Sequence, residues 1–239
     1  MTDSDTKSAI RMILFSSSLG GIGYLSFNNG LLLAYFSNLG IPSSNIIILL
    51  SLLPLSQFVF IVPSSYLSDI YGKKFIGSIG LVFCIFGFLL LMNASFFSEY
   101  YIIWILGIGI VVFGTGTAMN IGSWFALIHP IIPENIRGRF FGNLRFTWQS
   151  VGFIFTLLCI YILEWHHTLG MYQAIIGVFT FFIALRLIFY QLIPELEKSS
   201  TKKGTFRKSF LKVLTIREYI PFCSYCFLLT LFTGACPQI

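Results

Sequence analysis

Charge is what this sequence lacks most. Only 10% of its 239 residues are charged, whereas 56% are hydrophobic and the mean hydropathy is +0.85. A soluble domain carries about 25% charged residues. A chain with so little charge cannot cover a folded surface with groups that water solvates. The composition therefore excludes a soluble globular domain and predicts a polytopic membrane protein.

The sequence lacks the paired pattern of cysteines and histidines that a thiol-based site needs. The five cysteines all lie in apolar stretches. Cys223 and Cys226 have CxxC spacing, but no second pair and no partner histidine accompanies them. We interpret the cysteines as small packing residues.

Long apolar runs are what the sequence has in abundance. About 20 apolar residues span the hydrocarbon core of a bilayer as a helix, whereas a membrane strand needs only about 9–11 with alternating polarity. Seven runs reach that helical length: Met12–Phe36, Asn45–Leu67, Phe75–Phe97, Tyr101–Ile128, Phe140–Leu163, Leu169–Ile193 and Ile220–Ile239. The first run is too long for a signal peptide, and six more follow it. The sequence predicts an all-α integral membrane protein with seven spans.

Basic residues occur in alternate connections only. Lys and Arg precede span one and lie between spans two and three, four and five, and six and seven, whereas Ser37–Ser44, Ser98–Tyr100 and Glu164–Thr168 contain neither. Positively charged loops stay cytoplasmic. We therefore expect a multi-pass protein of the plasma membrane (the inner membrane of the cell) with a cytoplasmic N-terminus. This orientation accounts for the net charge of +6 without a nucleic-acid partner.

The same orientation separates the three histidines. His129 is expected on the cytoplasmic side, whereas His166 and His167 are expected outside. They cannot share a metal ion, and no acidic ligands converge on them. The sequence thus predicts no enzyme, no metal site and no cofactor.

The connection between spans two and three is short and charged. Asp69 can pair with an arginine or cap a helix, and Gly72 suits the left-handed conformation of a tight reversal. Lys73 and Lys74 are expected to anchor the turn at the inner membrane surface. On these residues alone, a plain solvated turn with orienting charges is an open alternative.

Two segments resemble signatures of one family. Ser65–Lys74 resembles the G-x-L-[AS]-D-R-x-G-R-[RK] signature between helices two and three of the major facilitator superfamily, and Pro133–Gly142 resembles its P-E-x-x-R-G-R-x-x-G turn between helices four and five. The first segment matches at Leu67, Ser68, Asp69, Gly72 and Lys74, conservatively at Lys73, and departs at Ser65 and Ile70.

The resemblance implies a transporter fold of twelve helices in two six-helix bundles, with the substrate between them. This chain then corresponds to the N-terminal half plus helix seven, a truncated twelve-helix fold. We expect residues 1–196 to form the six-helix bundle, 197–219 a basic cytoplasmic linker, and 220–239 the first helix of an absent second bundle. That second half is a candidate partner.

The function implied is secondary transport of a small polar solute across the lipid bilayer by alternating access. Two alternatives stay open: a half-transporter that is inert or needs a partner half, and a non-transporting membrane scaffold or receptor. No acid lies in mid-span, which favours a uniporter or a symporter with its proton site in the second half. The residues that the resemblance assigns to a conformational latch are Asp69, Gly72, Lys73, Lys74, Arg137, Gly138 and Arg139, with Arg137 or Arg139 as a partner for Asp69 within this half.

Polar side chains inside the spans are candidates for substrate contact, because such groups are costly in a membrane. The candidate set is Asn28, Gln57, Asn120, Trp124, Arg145, Trp148 and Gln149. Amides and indoles suit a polar, ring-bearing or hydroxylated solute, and a guanidinium suits a carboxylate or phosphate. The alternatives are amide bonds between helices, a core role for Trp148, and snorkelling of Arg145. Arg186 is expected to snorkel or to pair structurally. In the family, spans one, two, four and five line the cavity.

Overall fold

The computed structural model describes residues 3–28 and 30–197, together with Pro221, Ser224 and Tyr225; the side chains of residues 3–5, 24–28 and 99 are not among those described. The chain divides into two units, Met1–Ser199 and Ser200–Ile239. Within the described residues the fold is all-α, with no strand. Its helices are α1 (Asp3–Asn28), α2 (Leu31–Asn38), α3 (Ser43–Tyr71), α4 (Lys73–Asn93), α5 (Glu99–Ile128), α6 (Arg137–Trp165) and α7 (Leu169–Leu192). Short 3-10 turns at Ala94–Phe96 and Glu134–Ile136 follow α4 and precede α6.

Five helical segments in the described part of the chain are long and apolar enough to cross a membrane. They are Ser43–Tyr71, Lys73–Phe96, Tyr100–Ile128, Glu134–Trp165 and Leu169–Leu192. They coincide with predicted spans two to six, so the all-α membrane fold is confirmed. Nearly all of the seventh predicted span and of the predicted linker lies outside the described residues.

The first predicted span is not one continuous helix, so that expectation was wrong in detail. The run Met12–Phe36 is divided between α1 and α2, with Gly30 at the join. Gly30 has φ 72 and ψ 0, a left-handed conformation that glycine adopts without steric cost and that ends a right-handed helix. Hydropathy does not register such a break, because the residues on both sides are apolar.

Helices α4 and α5 pack closely, and glycines make the approach possible. A Cβ added at Gly80 would lie 2.5 Å from the Gly116 carbonyl oxygen, and one at Gly87 would lie 2.8 Å from the Gly109 carbonyl oxygen. Each glycine of this antiparallel pair thus meets the opposite backbone, as small residues allow in membrane helices. This contact fixes α5 against α4.

The opposite side of α5 packs against α3. Gly114 faces the Ser56 side chain and Leu53, and Gly122 faces Ser65. The amide Nε2 of Gln57 donates a hydrogen bond to the Thr117 hydroxyl at 3.0 Å. Helix α5 therefore has α4 on one side and α3 on the other.

Helices α6 and α7 complete the described bundle. Helix α7 packs on α1 and α4, whereas α6 packs chiefly on α1. An aromatic cluster around the fully buried Phe88, in contact with Phe113 and Phe179, fills the centre. The outer face of α6 is covered with exposed apolar side chains, among them Phe153, Leu157 and Tyr161, as expected for a surface that lipid covers.

Candidate solute cavity

A cavity of about 440 Å³ lies inside the bundle, among α1, α4, α5, α6 and α7. Ligand pockets have volumes of about 300–1,000 Å³, so it can hold a small molecule. Its lining combines apolar and aromatic side chains with a few polar ones: Ser17, Gly20, Gly21, Leu81, Cys84, Phe113, Thr117, Asn120, Ile121, Trp124, Phe125, Phe141, Leu144, Arg145, Trp148, Ile183 and Arg186.

A hydrogen-bonded chain links three helices at the cavity wall. The Nη2 group of Arg186 on α7 donates to Asn120 Oδ1 on α5 at 2.7 Å. Asn120 Nδ2 donates in turn to the Gly77 carbonyl oxygen on α4 at 3.3 Å. Asn120 is almost completely buried. An unpaired buried amide is costly, so Asn120 keeps both of its hydrogen bonds. These two hydrogen bonds hold the Arg186 guanidinium in position at the cavity wall.

The Arg186 guanidinium also lies over an aromatic ring. Its Cζ is 5.7 Å from the centroid of the Trp124 indole, within the range of a cation–π contact. Trp124 stacks in turn on Tyr190, with ring centroids 5.9 Å apart and planes at 26°. The Nε atom of Arg186 is buried and has no hydrogen-bond acceptor among the described residues.

Two glycines of α1 make room for the large side chains of the cavity. A Cβ at Gly20 would collide with the Arg186 guanidinium, whose Nε would be only 2.6 Å away. A Cβ at Gly21 would collide with the indole of Trp148 on α6. Gly20 and Gly21 therefore allow α6 and α7 to present an indole and a guanidinium directly against the α1 backbone.

The structure brings four of the candidate substrate contacts together. Asn120, Trp124, Arg145 and Trp148 all line the cavity. Gln57 does not line it and lies behind Thr117, to which it donates. Gln149 is exposed and lies outside the lining. The side chain of Asn28 lies outside the described residues.

The cavity residue that sequence reasoning missed is Arg186, which was expected to snorkel or pair structurally. The available signal was its place on α7: Ile183 and Tyr190, at i−3 and i+4, are buried, so Arg186 shares the inward face. The lining helices also differ from expectation. Spans three and six, which are α4 and α7, contribute to the lining, whereas none of the described residues of span two does. The cause is the position of α5, which lies between α3 and the cavity.

The connection with the latch signature lies at the helix ends rather than at the cavity. Gly72 joins α3 to α4 with φ 106, a conformation that favours glycine. Glu195, which follows α7, accepts a hydrogen bond from the Lys73 backbone N–H at 2.7 Å and so caps the N-terminus of α4. The Lys73 ammonium group forms an ion pair with Glu197.

Among the described residues, no ion pair joins the Ser65–Lys74 segment to the Pro133–Gly142 segment. Asp69 is exposed, and no described side chain forms an ion pair with it. Arg137 Nη2 lies 4.0 Å from Glu134 Oε1, one turn away, and Arg139 is exposed. In this structure Asp69 therefore has neither expected partner. The hydrogen bond and positive charge of Lys73 lower the pKa of Glu197, because they favour its charged form.

The fold and the internal cavity define the class of the protein: it is a multi-pass integral membrane protein. The family model described as Major Facilitator Superfamily matches residues 13–238. Because this match covers most of the chain, the chain belongs to the Major Facilitator Superfamily, whose members are membrane transporters of small-molecule solutes. Comparison with curated proteins gives no match.

Proposed function

We propose that this protein is a secondary transporter that carries a small polar solute across the plasma membrane by alternating access. The observation that carries the proposal is the cavity of about 440 Å³, which five helices line and whose lining includes Asn120, Trp124, Arg145 and Trp148. Polar groups inside a membrane bundle are costly and mark solute pathways. The cavity offers hydrogen-bond donors and acceptors beside flat apolar surfaces.

Alternating access in this family rocks two bundles about a central site. We propose that residues 1–196 form one bundle and supply one wall of that site, with the N-terminus in the cytoplasm. The division into 1–196, 197–219 and 220–239 is part of this proposal. So is the role of Asp69, Gly72, Lys73, Lys74, Arg137, Gly138 and Arg139 as a latch. It has support from the carboxylate of Asp69, which is exposed and has no ion-pair partner among the described residues.

The solute is proposed to cross unchanged, with no covalent step. The test is uptake into proteoliposomes from a mixture of small metabolites, with the trapped solutes identified by mass spectrometry. Empty liposomes set the background. We expect at least one solute to accumulate in intact form.

A matched pair of variants ties that uptake to the cavity. Ile121 and Ile108 are both exposed residues of α5, but only Ile121 lines the cavity. Ile121→Trp fills part of the cavity and should abolish uptake, whereas Ile108→Trp should leave it unchanged. Equal uptake by both variants would show that the solute takes another route.

The alternatives give different results in the same assay. A scaffold or receptor retains solute in a binding assay but accumulates none inside the liposomes. A half-transporter accumulates solute only when a second bundle is supplied as a separate chain. No uptake in either arrangement would overturn the proposed function.

A further inference from the structure

The ionisable side chains that carry charge at the cavity are both cationic. Arg145 and Arg186 line it, and none of the described lining residues is Asp or Glu. The described acids with known side-chain positions, Asp69, Glu134 and Glu195 among them, belong to helix ends and connections. Two guanidinium groups thus face one cavity without a carboxylate to balance them.

No described acidic side chain relieves this imbalance at Arg186. Asn120 supplies only a neutral acceptor, for a single N–H of the guanidinium. The Nε group is buried without an acceptor in the described part of the chain. Arg186 is partly buried, and a charged group that is withdrawn from water without a counterion is disfavoured. An anion in the cavity would supply the missing counterion.

The groups around the two arginines indicate the rest of the ligand. The Trp124 and Trp148 indoles line the same cavity and offer flat apolar surfaces. The planar fork of an arginine matches the two oxygens of a carboxylate, sulfonate or phosphate. Trp124 is itself held by Tyr190 and cannot turn freely, because the two rings stack.

We infer that the cavity binds a small organic anion, with its oxyanion head at Arg186 and Arg145 and its flat apolar body against Trp124 and Trp148. The inference rests on the proposed function and narrows it, because it names the charge and shape of the carried solute. It also gives Arg186 a role in solute recognition in addition to its structural bond with Asn120.

The test measures binding to the full chain in lipid nanodiscs by isothermal titration calorimetry. The anionic probes are benzoate, benzenesulfonate and phenyl phosphate, and the uncharged counterparts are benzamide and benzyl alcohol. We expect at least one of the anions to bind with a Kd about ten-fold or more below that of the uncharged probes, because hydrogen bonds between charged groups are the strong ones. The three head groups separate carboxylate, sulfonate and phosphate recognition.

Substitutions of Arg186 test whether the preference for anionic probes depends on its guanidinium. Arg186→Gln retains a donor for Asn120 but removes the charge, and it should abolish the preference for anions. Arg186→Lys retains the charge without the fork and should keep part of the preference. Arg11→Gln removes an exposed arginine of α1 outside the lining and should change nothing.

Arg145 allows a second test that does not disturb the fold. Arg145 is exposed to the cavity side and makes no hydrogen bond or ion pair with described residues. Arg145→Gln should therefore weaken anion binding without lowering the melting temperature. Equal Kd values for charged and uncharged probes in the unmodified protein, or an undiminished anion preference in both Arg186→Gln and Arg145→Gln, would overturn the inference.

The binding and uptake measurements together separate failure of this inference from failure of the proposed function. Uptake of uncharged solutes alone, without anion binding, would refute the inference and leave transport standing. Anion binding that depends on Arg186, without uptake of any solute, would support the inference and refute transport.

Discussion

Helices α4 and α5 meet backbone to backbone at glycines, whereas α6 rests on α1 through side chains. At Gly80 the nearest atom to an added Cβ is a carbonyl oxygen of α5, but at Gly21 it is an atom of the Trp148 side chain. A backbone cannot move without its helix, while a side chain can change rotamer. The α5 side of the cavity is therefore rigidly held, whereas the α6 side is held by contacts that can rearrange.

The two sides of the cavity also differ in polar contacts. On the α5 side, Asn120 and Trp124 are tied to Arg186 by a hydrogen bond and a ring contact. On the α6 side, Arg145 is exposed, and Trp148 is positioned by the space at Gly21. We therefore expect substitutions that disturb helix packing on the α5 side to act mainly on stability, and substitutions on the α6 side to act mainly on solute handling.

The largest effect is expected from Gly80→Ala. The added methyl group would lie 2.5 Å from the Gly116 carbonyl oxygen and force α4 and α5 apart, and overpacking of this kind costs about 1–3 kcal/mol. The apparent melting temperature in detergent should fall clearly. The matched control is Gly142→Ala on α6, where an added Cβ meets nothing within 4 Å. An equal fall in melting temperature for both variants would show that the backbone contact at Gly80 does not determine stability.

A smaller effect on stability is expected from Gly21→Ala, because the colliding group is a side chain. The Trp148 indole must leave the α1 backbone, which changes the shape of the cavity. We expect a clear change in solute affinity and a smaller fall in melting temperature than for Gly80→Ala. Tryptophan fluorescence reports the displacement, and an unchanged emission spectrum together with unchanged affinity would contradict the assignment.

Loss of the cap on α4 is expected to cost about 1 kcal/mol, the usual value for an N-cap substitution. Glu195→Ala removes the acceptor for the Lys73 N–H, and amide hydrogen exchange should rise in the first turn of α4. Glu164→Gln, at an exposed acid near the end of α6, serves as the control. Unchanged exchange in Glu195→Ala would show that the carboxylate does not act as a cap.

The smallest effect is expected from the Lys73–Glu197 ion pair. The Glu197 side chain is 54% exposed, so the pair contributes at most about 1 kcal/mol. The pKa of Glu197 is lowered in the folded protein. Its contribution is therefore present above the unfolded pKa and is lost as the pH falls through the folded pKa. The melting temperature of the unmodified protein should approach that of Glu197→Gln under acid conditions, and a constant difference at all pH values would contradict this.

The spans of the fold were predictable from sequence because hydrocarbon thickness sets the length of apolar helices. The break at Gly30 was not, since both flanking segments are apolar. The position of Arg186 on α7 places it on the same face as Ile183 and Tyr190, but the room for its guanidinium depends on Gly20 of another helix. Gln149 was assigned to the cavity because it is a polar side chain within a predicted span. It lies about 100° around the helix from Trp148 and so leaves the lining face.

The cavity lined by α1, α4, α5, α6 and α7 is expected to admit water and to favour anions. The direct measurement is the reaction of Ile121→Cys with a sulfonate-bearing and a trimethylammonium-bearing methanethiosulfonate, in a chain whose five native cysteines are replaced by serine. We predict that both reagents modify Ile121→Cys, the sulfonate faster, and that Arg186→Gln removes the difference. Ile108→Cys, on the outer face of the same helix, should react with neither. Modification of Ile121→Cys no faster than that of Ile108→Cys would contradict the claim.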